Sequence, residues 1–205
     1  MRKSPGVSVN PKTSIHVISG PMRSEKSLEA IRQTKRYQVL YGKESTIFVN
    51  PRIDIRTSDG IAKSRGGNEM ECIVCDKLSE IEGSDLFQKA KLVTLDEAQF
   101  FPDLFNFVMK HCDKKSFIVT SLDGDWKQEQ FGQVWSLIPY ATMEKLTGFC
   151  ELCRDGTPSV CTIAVGPMTG QVSVDEAEGT QYLAACLQHR TSEAVKDEFR
   201  RRQTE

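Results

Sequence analysis

The stretch SGPMRSEKS at residues 19–27 contains most of a phosphate-binding loop. Such a loop reads Gly, four residues, Gly, Lys, then Ser or Thr, because backbone amides surround the phosphates, the lysine reaches the β and γ groups and the hydroxyl binds Mg²⁺. Gly20, Lys26 and Ser27 stand in register, but Glu25 occupies the place of the second glycine. The spacing predicts a loop of phosphate-site ancestry, with a chance strand-to-helix turn as the alternative.

A second candidate site is the pair of carboxylates in VTLDEAQFF, residues 93–101. Asp96 and Glu97 close an apolar strand, where one carboxylate can hold Mg²⁺ through water. The adjacent carboxylate can accept a proton from an attacking hydroxyl. An ordinary polar strand end is the alternative, but the phosphate loop favours the functional interpretation.

Two short pairs of residues have the spacing of metal ligands. Cys150 and Cys153 form C-x-x-C, Cys186 and His189 form C-x-x-H, and the 32 residues 154–185 separate the pairs. Three thiolates and one imidazole predict a closed tetrahedral zinc site of the structural kind. Such a site stabilises a module that is too small to bury a core of its own.

The remaining cysteines have a simpler interpretation. Seven cysteines without a recognisable secretion signal are better explained as thiols or metal ligands than as disulfides. Cys72 and Cys75 have the spacing of a metal pair but lie in an apolar run, which favours buried structural thiols. The same interpretation applies to the other cysteines and histidines outside the predicted zinc site, namely Cys112, Cys161, His16 and His111.

Alternating strands and helices must position these residues. SIHVISG (14–20) predicts a strand that ends in glycine, and KSLEAIRQTKRYQVLYG (26–42) predicts a helix that stops at Gly42. Further strands are predicted in STIFVN (45–50), MECIVCD (70–76), AKLVTLDEAQFF (90–101) and SFIVTSLDGDW (116–126), and a helix in PDLFNFVMKHC (102–112). This order predicts an α/β fold with a mostly parallel sheet and a binding crevice at the carboxyl ends of its strands.

The pattern changes after about Gly148, where Cys, Gly, Pro and short β-like runs such as SVCTIAV and GQVSV take over. We predict a mobile leader over residues 1–13, a P-loop nucleotide-binding α/β domain over 14–148, a small zinc-binding module over 149–190 and a charged tail over 191–205. The tail is predicted to be a solvated helix or disorder, with a binding element as the alternative.

Charge and hydropathy exclude several classes of protein. A net charge of −1 provides no basic field for nucleic acid or for an acidic membrane surface. No apolar run approaches the roughly 20 residues of a membrane span, and the first residues lack the apolar centre of a signal peptide. We therefore expect a cytoplasmic or nuclear chain that binds neither nucleic acid nor membrane.

The combination of SGPMRSEKS, LDEAQFF, SLDGDW, QFGQVWSLIPYATMEKLTGFCELC and the closing zinc pair resembles the thymidine kinases of the cytosolic and bacterial type. The resemblance covers most of residues 14–190 and is strongest at 96–101 and 131–153. The stretch IDIRTSDGIAKSRGG resembles the second nucleotide-contacting segment of that family, which would carry Asp54 and Arg56 to the phosphates.

The resemblance implies a P-loop domain and a zinc-ribbon-like lasso domain that closes over the nucleoside. It implies a homotetramer, or a mixed oligomer with a related kinase domain. The implied reaction is transfer of the γ-phosphoryl group of ATP, with Mg²⁺, to the 5′-hydroxyl of thymidine or deoxyuridine. Zinc would be structural.

The resemblance also assigns roles by matched position. Glu97 would be the general base, and Ser27 with Asp96 would place Mg²⁺. The residues implied at the nucleoside are Met22, Phe100, Leu122, Trp126, Phe131 and Tyr182. The residues implied at ATP are Gly20, Pro21, Met22, Arg23, Ser24, Glu25, Lys26, Ser27, Asp54, Arg56, Asp96 and Gln99.

The sequence departs from this family inside the phosphate loop. Arg23 and Glu25 stand where an aromatic residue and glycine are expected. A carboxylate about 5 Å from a phosphate charge costs on the order of 3 kcal/mol at an effective dielectric near 20, which is roughly a hundredfold in affinity. An outward Glu25 side chain that pairs with Arg23 would reduce this repulsion.

Other departures lie near the predicted nucleoside site. Glu129 replaces a cation, Thr57 replaces a tyrosine, and residues 176–178 read Glu-Ala-Glu in place of Ile-Gly-Gly. Two hypotheses follow: an active thymidine kinase with an unusual phosphate loop, or a non-catalytic domain that stabilises or regulates an active kinase partner. A zinc-ribbon protein that binds nucleic acid is disfavoured by the charge balance.

Overall fold

A computed structural model describes residues 13–54, 57, 60–64, 67–165, 181–191, 195 and 197. Six strands form one sheet: β1 (Ile15–Gly20), β2 (Thr46–Pro51), β5 (Ile73–Cys75), β6 (Leu92–Leu95), β7 (Ser116–Leu122) and β8 (Thr142–Lys145). Their order is β5-β2-β6-β7-β1-β8, and every neighbouring pair is parallel. The predicted α/β fold with a parallel sheet is confirmed.

Three α-helices connect these strands. They are α1 (Lys26–Tyr41), α2 (Asp85–Lys89) and α3 (Leu104–His111). Short 3₁₀ helices lie at Lys43–Ser45, Leu78–Ile81, Ala98–Phe100 and Val134–Tyr140. The first helix buries Ala30, Ile31 and Thr34 on one face and ends at Gly42, whose φ of 89° favours glycine.

The sheet is buried on both faces, which explains why its strands are nearly continuous apolar runs. Side chains alternate between the faces, so Val17 and Val119 join one core cluster while the adjacent Ile18 and Ile118 join the other. Helix α1 packs on the second face through Ile31. The two core clusters therefore fix the positions of the carboxyl ends of the central strands.

Two features of the sheet differ from the sequence prediction. MECIVCD is not one strand, because β4 (Glu69–Glu71) pairs antiparallel with β3 (Ile61–Lys63) and β5 starts only at Ile73. The exposed, buried, exposed pattern of Glu69, Met70 and Glu71 is typical of a strand with one face in water. Strand β8 was not predicted, because it is a mostly exposed polar edge strand without an apolar signal.

A second, two-stranded sheet follows in the chain. Its strands, β9 (Cys161–Val165) and β10 (Gln181–Ala185), are antiparallel. They bury a small separate cluster that includes Ile163, Val165 and Leu183. The expected strand in GQVSV, the acidic stretch 176–178, residues 1–12 and most of the predicted tail lie outside the described residues.

Among the described residues, no helix combines the length and the apolar character that a membrane span requires.

Candidate active site and metal centre

The predicted phosphate loop lies between β1 and α1, at the carboxyl edge of the sheet. The Lys26 side chain is buried, and its Nζ donates to the carbonyl oxygen of Pro21 at 2.7 Å. Ser24 Oγ donates to the same carbonyl at 2.8 Å. A Cβ atom at Gly20 would lie 2.4 Å from the carbonyl oxygen of Leu146, so only glycine allows this close approach.

Glu25 has the backbone conformation that the expected glycine would adopt. Its φ and ψ are 61° and 24°, in the left-handed region, and Arg23 has a φ of 61° as well. For residues other than glycine this region costs about 1 kcal/mol or more. The loop therefore keeps a glycine-like path although its residue types have changed.

The Glu25 side chain is exposed and makes no ion pair within the described part of the chain. The expected ion pair between Glu25 and Arg23 does not form, because the Arg23 guanidinium pairs with Glu151 instead. Glu151 lies between the two cysteines of the C-x-x-C pair. The physical reason is direction: Arg23 turns toward the small second sheet while Glu25 turns toward solvent.

Ser27 and Asp96, the predicted magnesium residues, are in contact. Ser27 Oγ donates to Asp96 Oδ1 at 3.1 Å, and the buried Thr120 hydroxyl donates to the same oxygen. Asp96 is only 3% exposed, and its backbone amide donates to Val49 O at 2.9 Å. The hydroxyl of α1 and the carboxylate after β6 therefore lie close enough to share one cation.

Glu97 is held by two neighbours. Its backbone amide donates to Thr120 Oγ1 at 3.2 Å, and its Oε2 accepts from Gln99 Nε2 at 2.7 Å. The other end of the Gln99 amide, Oε1, accepts from the Leu122 amide at 3.3 Å. Gly132 packs against Gln99 so closely that a Cβ would lie 2.4 Å from its carbonyl oxygen. Gln99 thus fixes the carboxylate of Glu97 relative to the end of β7.

The predicted nucleoside residues lie on several different elements. Phe100 and Phe131 meet edge to face with ring centroids 5.3 Å apart. Leu122 ends β7, and Met22 is half-buried in the phosphate loop with its amide donating to Thr162 Oγ1 at 2.9 Å. Trp126 and Tyr182 are half-buried, in the loop after β7 and on β10 respectively.

The segment after β2 carries Asp54, which accepts a 3.4 Å hydrogen bond from Asn50 Nδ2. Thr57, found where a tyrosine was expected, is buried and donates to the Asp54 carbonyl at 2.8 Å. Arg56 lies outside the described residues. Glu129 is exposed, in a turn organised by Asp125, whose Oδ1 accepts from the Glu129 amide at 3.0 Å.

Sequence reasoning missed Thr120 and Thr162 as positioning residues. Thr120 is a fully buried hydroxyl within the apolar run SFIVTSL, and that mismatch was a usable signal. Thr162 and Glu151 gave no comparable signal, because their partners lie in the distant phosphate loop.

The four predicted zinc ligands form one cluster, with ligand atoms all within 4.8 Å of one another. The Sγ atoms of Cys153 and Cys186 are 3.7 Å apart, and His189 Nδ1 lies 3.3–3.5 Å from the three sulfurs. Zn–S bonds of about 2.3 Å in a tetrahedron require sulfur spacings of about 3.8 Å. Both the donor set and the spacing fit zinc.

The pKa values of two candidate ligands, Cys150 and Cys153, are shifted in opposite directions. Burial raises the pKa of Cys150, but hydrogen bonds from the backbone amides of Cys153, Cys186 and Leu152 stabilise its thiolate, so that its pKa falls to about 6. Burial and the neighbouring Cys150 and Cys186 sulfurs raise the pKa of Cys153 to about 11. Burial likewise raises the pKa of Cys72 to about 11 and that of Cys75 to about 12, and both are free thiols.

Comparison with known proteins identifies the family. The family described as thymidine kinase matches residues 13–189, a range that contains the phosphate loop, both carboxylates and all four candidate zinc ligands. The chain belongs to the thymidine kinase family. A thymidine kinase of Oryza sativa subsp. japonica is 32% identical over 181 residues, and the match covers 85% of this chain.

Other relatives give the same assignment. The thymidine kinase of Yaba monkey tumor virus (strain VR587) is 37% identical over 146 residues, covering 68% of this chain and 75% of the viral protein. The cytosolic thymidine kinase of Gallus gallus is 33% identical over 155 residues, covering 73% and 66%. This member of the thymidine kinase family spans only 65% of the length of the rice protein.

Proposed function

We propose that the chain transfers the γ-phosphoryl group of ATP to the 5′-hydroxyl of thymidine or deoxyuridine. The supporting observation is the contact of Ser27 with Asp96 at 3.1 Å, next to the buried Lys26 and to Glu97, in a chain of the thymidine kinase family. Phosphoryl transfer requires positioning and electrostatic stabilisation more than covalent chemistry, and the residues at this edge of the sheet would supply both.

Each residue of the loop and strand ends has a proposed part. Backbone amides of the loop and the Lys26 ammonium would bind the phosphates, with Lys26 exchanging its bond to Pro21 O for phosphate oxygens. Ser27 and Asp96 would hold Mg²⁺, which neutralises phosphate charge when bound. Gly20 and Pro21 shape the loop, while Asp54 and Arg56 are proposed to contact phosphate from the segment after β2.

Glu97 is proposed as the general base. Its carboxylate is oriented by the Gln99 amide at 2.7 Å, and Gln99 is itself anchored to β7 through Leu122. A general base must be held within hydrogen-bond reach of the proton that it removes. The edge-to-face pair of Phe100 and Phe131, together with Met22, Leu122, Trp126 and Tyr182, would surround the base of the nucleoside.

We also propose a structural zinc site, a cytoplasmic location and an oligomeric assembly for this protein. Structural zinc would be held by Cys150, Cys153, Cys186 and His189, whose spacing fits a tetrahedral ion. The protein would act in the cytoplasm, without nucleic acid or membrane, as a homotetramer or a mixed oligomer with a related kinase domain. The boundaries at residues 148 and 190 remain proposals.

A second candidate is a degenerate kinase domain that stabilises or regulates an active partner. Glu25 favours it, because a carboxylate replaces glycine beside the proposed phosphate site. The exposure of Glu25 weakens this argument for a degenerate domain. Repulsion between its carboxylate and a phosphate charge about 4 Å away falls from about 4 kcal/mol at an effective dielectric of 20 to about 1 kcal/mol in water. We therefore favour an active kinase that binds nucleotide weakly.

The test is thymidine phosphorylation by the purified chain with ATP and Mg²⁺. We expect measurable turnover that falls about 10²- to 10⁴-fold in Glu97→Gln, because proton transfer by a positioned base contributes that much. Glu80→Gln, at an exposed site on the 3₁₀ helix that follows the outermost strand β5, is the control. Absence of turnover and of nucleotide binding in the wild type, with both restored in Glu25→Gly, would establish the degenerate alternative.

A further inference from the structure

We propose that Arg23 and Glu151 form a positioning contact through which the zinc module holds the phosphate loop in its glycine-like conformation. The zinc module is defined here as residues 149–165 and 181–189, and the phosphate loop as residues 20–27. The inference rests on the proposed function for what the loop binds. The contact itself is independent of that function.

The loop needs external support because of its own backbone. Arg23 and Glu25 both have φ of 61°, a conformation that is unfavourable for residues with a Cβ atom. A glycine at position 25 would adopt it without this cost. Contacts from outside the loop must therefore stabilise the path that the sequence disfavours.

Glu151 is well placed to provide such a contact. One carboxylate oxygen, Oε1, pairs with the Arg23 guanidinium, while Oε2 accepts from the Ala184 amide at 2.8 Å. The Glu151 backbone amide also donates to the Ala184 carbonyl at 2.9 Å. Because Glu151 lies between Cys150 and Cys153, the turn that holds zinc also sets the position of this carboxylate.

Two further contacts act on the same part of the loop. The Met22 amide donates to Thr162 Oγ1 on β9 at 2.9 Å. Gly148, which leads into the zinc module, lies so close to the loop that a Cβ there would be 2.6 Å from the Arg23 carbonyl oxygen. Arg23 is thus contacted by the turn between Cys150 and Cys153, and Met22 is contacted by the two-stranded sheet.

The expected size of the effect follows from exposure. The side chains of Arg23 and Glu151 are 36% and 23% exposed, so solvent weakens the ion pair. Pairs of this kind contribute at most about a fivefold change in an equilibrium constant. Zinc acts on all three contacts together, so we expect its removal to exceed the effect of either substitution.

Hydrogen exchange of the full chain, followed by mass spectrometry, tests the contact without requiring nucleotide. We expect amides of residues 22–25 to exchange about two- to fivefold faster in Arg23→Gln and in Glu151→Gln, and at least tenfold faster after zinc removal. The charge-exchanged double variant R23E/E151R should return to within about twofold of wild type. Lys110→Gln, which removes an exposed ion pair between Lys110 on α3 and Glu82, is the matched control and should leave the exchange of residues 22–25 unchanged.

Wild-type loop exchange in both single variants would overturn the inference, as would a double variant that exchanges as fast as the single ones. Zinc content is measured for every variant. If Glu151→Gln loses zinc, Arg23→Gln alone decides, because Arg23 lies outside the module.

A kinetic measurement separates this inference from the proposed function. With an active enzyme, a Glu151→Gln variant that keeps its zinc should raise KM for ATP about two- to fivefold with kcat within twofold of wild type, since loop order affects nucleotide binding before chemistry. An inactive wild type that binds no nucleotide would refute the proposed function, while the exchange results would still decide the contact. An unchanged KM together with faster loop exchange would support the contact and refute its effect on nucleotide binding.

Discussion

The phosphate loop and the zinc cluster preserve their geometry in different ways. In the loop, charged residues occupy positions 23 and 25, yet both keep the left-handed backbone expected of a phosphate cradle. In the cluster, all four predicted ligands are present and spaced for a tetrahedral ion. Phosphate binding by the loop would use backbone amides and would tolerate changed side chains, whereas metal binding by the cluster would use the side chains themselves.

Removal of a zinc ligand should produce the largest effect. Zinc binding contributes on the order of 10 kcal/mol in small zinc modules. We expect Cys186→Ser to lose most of its zinc by elemental analysis and to lose more than about a hundredfold of the hydrogen-exchange protection in β9 and β10, while β7 keeps its protection. Cys72→Ser is the control, with a change in unfolding free energy within about 1 kcal/mol. Wild-type protection of β9 and β10 in Cys186→Ser would contradict a structural role for the metal.

The second-largest effect should come from removal of the buried Thr120 hydroxyl, which bonds to Asp96. Thr120→Val removes the donor to the buried Asp96 carboxylate, and we expect a loss of about 1.5–3 kcal/mol in the free energy of unfolding, measured with urea. Thr94→Val, which removes a hydrogen bond between two neutral buried hydroxyls, should lose about 1 kcal/mol. Equal losses in the two variants would show that Asp96 does not depend on Thr120.

Glu25 allows a direct test of backbone against side chain. Glu25→Gly should raise the unfolding free energy by about 0.5–1 kcal/mol, because the left-handed strain is relieved. It should also tighten ATP binding by calorimetry about 5- to 100-fold. Glu25→Gln keeps the side chain and removes the charge, so the two variants separate the effects. A Glu25→Gly protein that is less stable than wild type would show that the loop is not strained.

The smallest effect concerns the first turn of α1. A hydrogen bond from Arg32 lowers the pKa of Glu29 below its ordinary value of 4.5, and a bond from Gln33 adds to this against the opposing effect of burial. A lowered pKa in the folded state stabilises the protein above pH 4.5, and this contribution is lost as the pH falls through the folded value.

We therefore expect Glu29→Gln to lower the unfolding free energy by about 0.5 kcal/mol at pH 7 and by less at pH 3. Glu69→Gln, at an exposed pair with Lys63, is the control. A Glu29→Gln deficit that grows as the pH falls would contradict this sign.

The sequence predicted the central sheet because its strands are buried on both faces. Each apolar run before a loop or a carboxylate, such as residues 14–20 and 93–96, corresponds to a parallel strand. Strands β3, β8 and β10 were not predicted, and β4 was merged with β5. Exposed charged residues interrupt the apolar character of β3, β4 and β8.

The candidate site was predictable to the same extent. Motif spacing in the sequence predicts Ser27, Asp96 and the four zinc ligands, and the structure brings the residues of each set together. The ion pair of Arg23 with Glu151 could not be predicted, because its members are far apart in the chain and charged surface residues have many potential partners. Such a contact depends on how two modules pack, which local periodicity does not encode.

The tight packing of Gly132 against Gln99 makes position 132 informative about natural variation. Any larger residue there would push away the backbone that carries the side chain orienting Glu97. In family members that use this carboxylate as proposed for Glu97, selection should allow only glycine at that position. In members that have lost the reaction, substitutions should accumulate there, so genome sequences alone could distinguish active members from inactive ones.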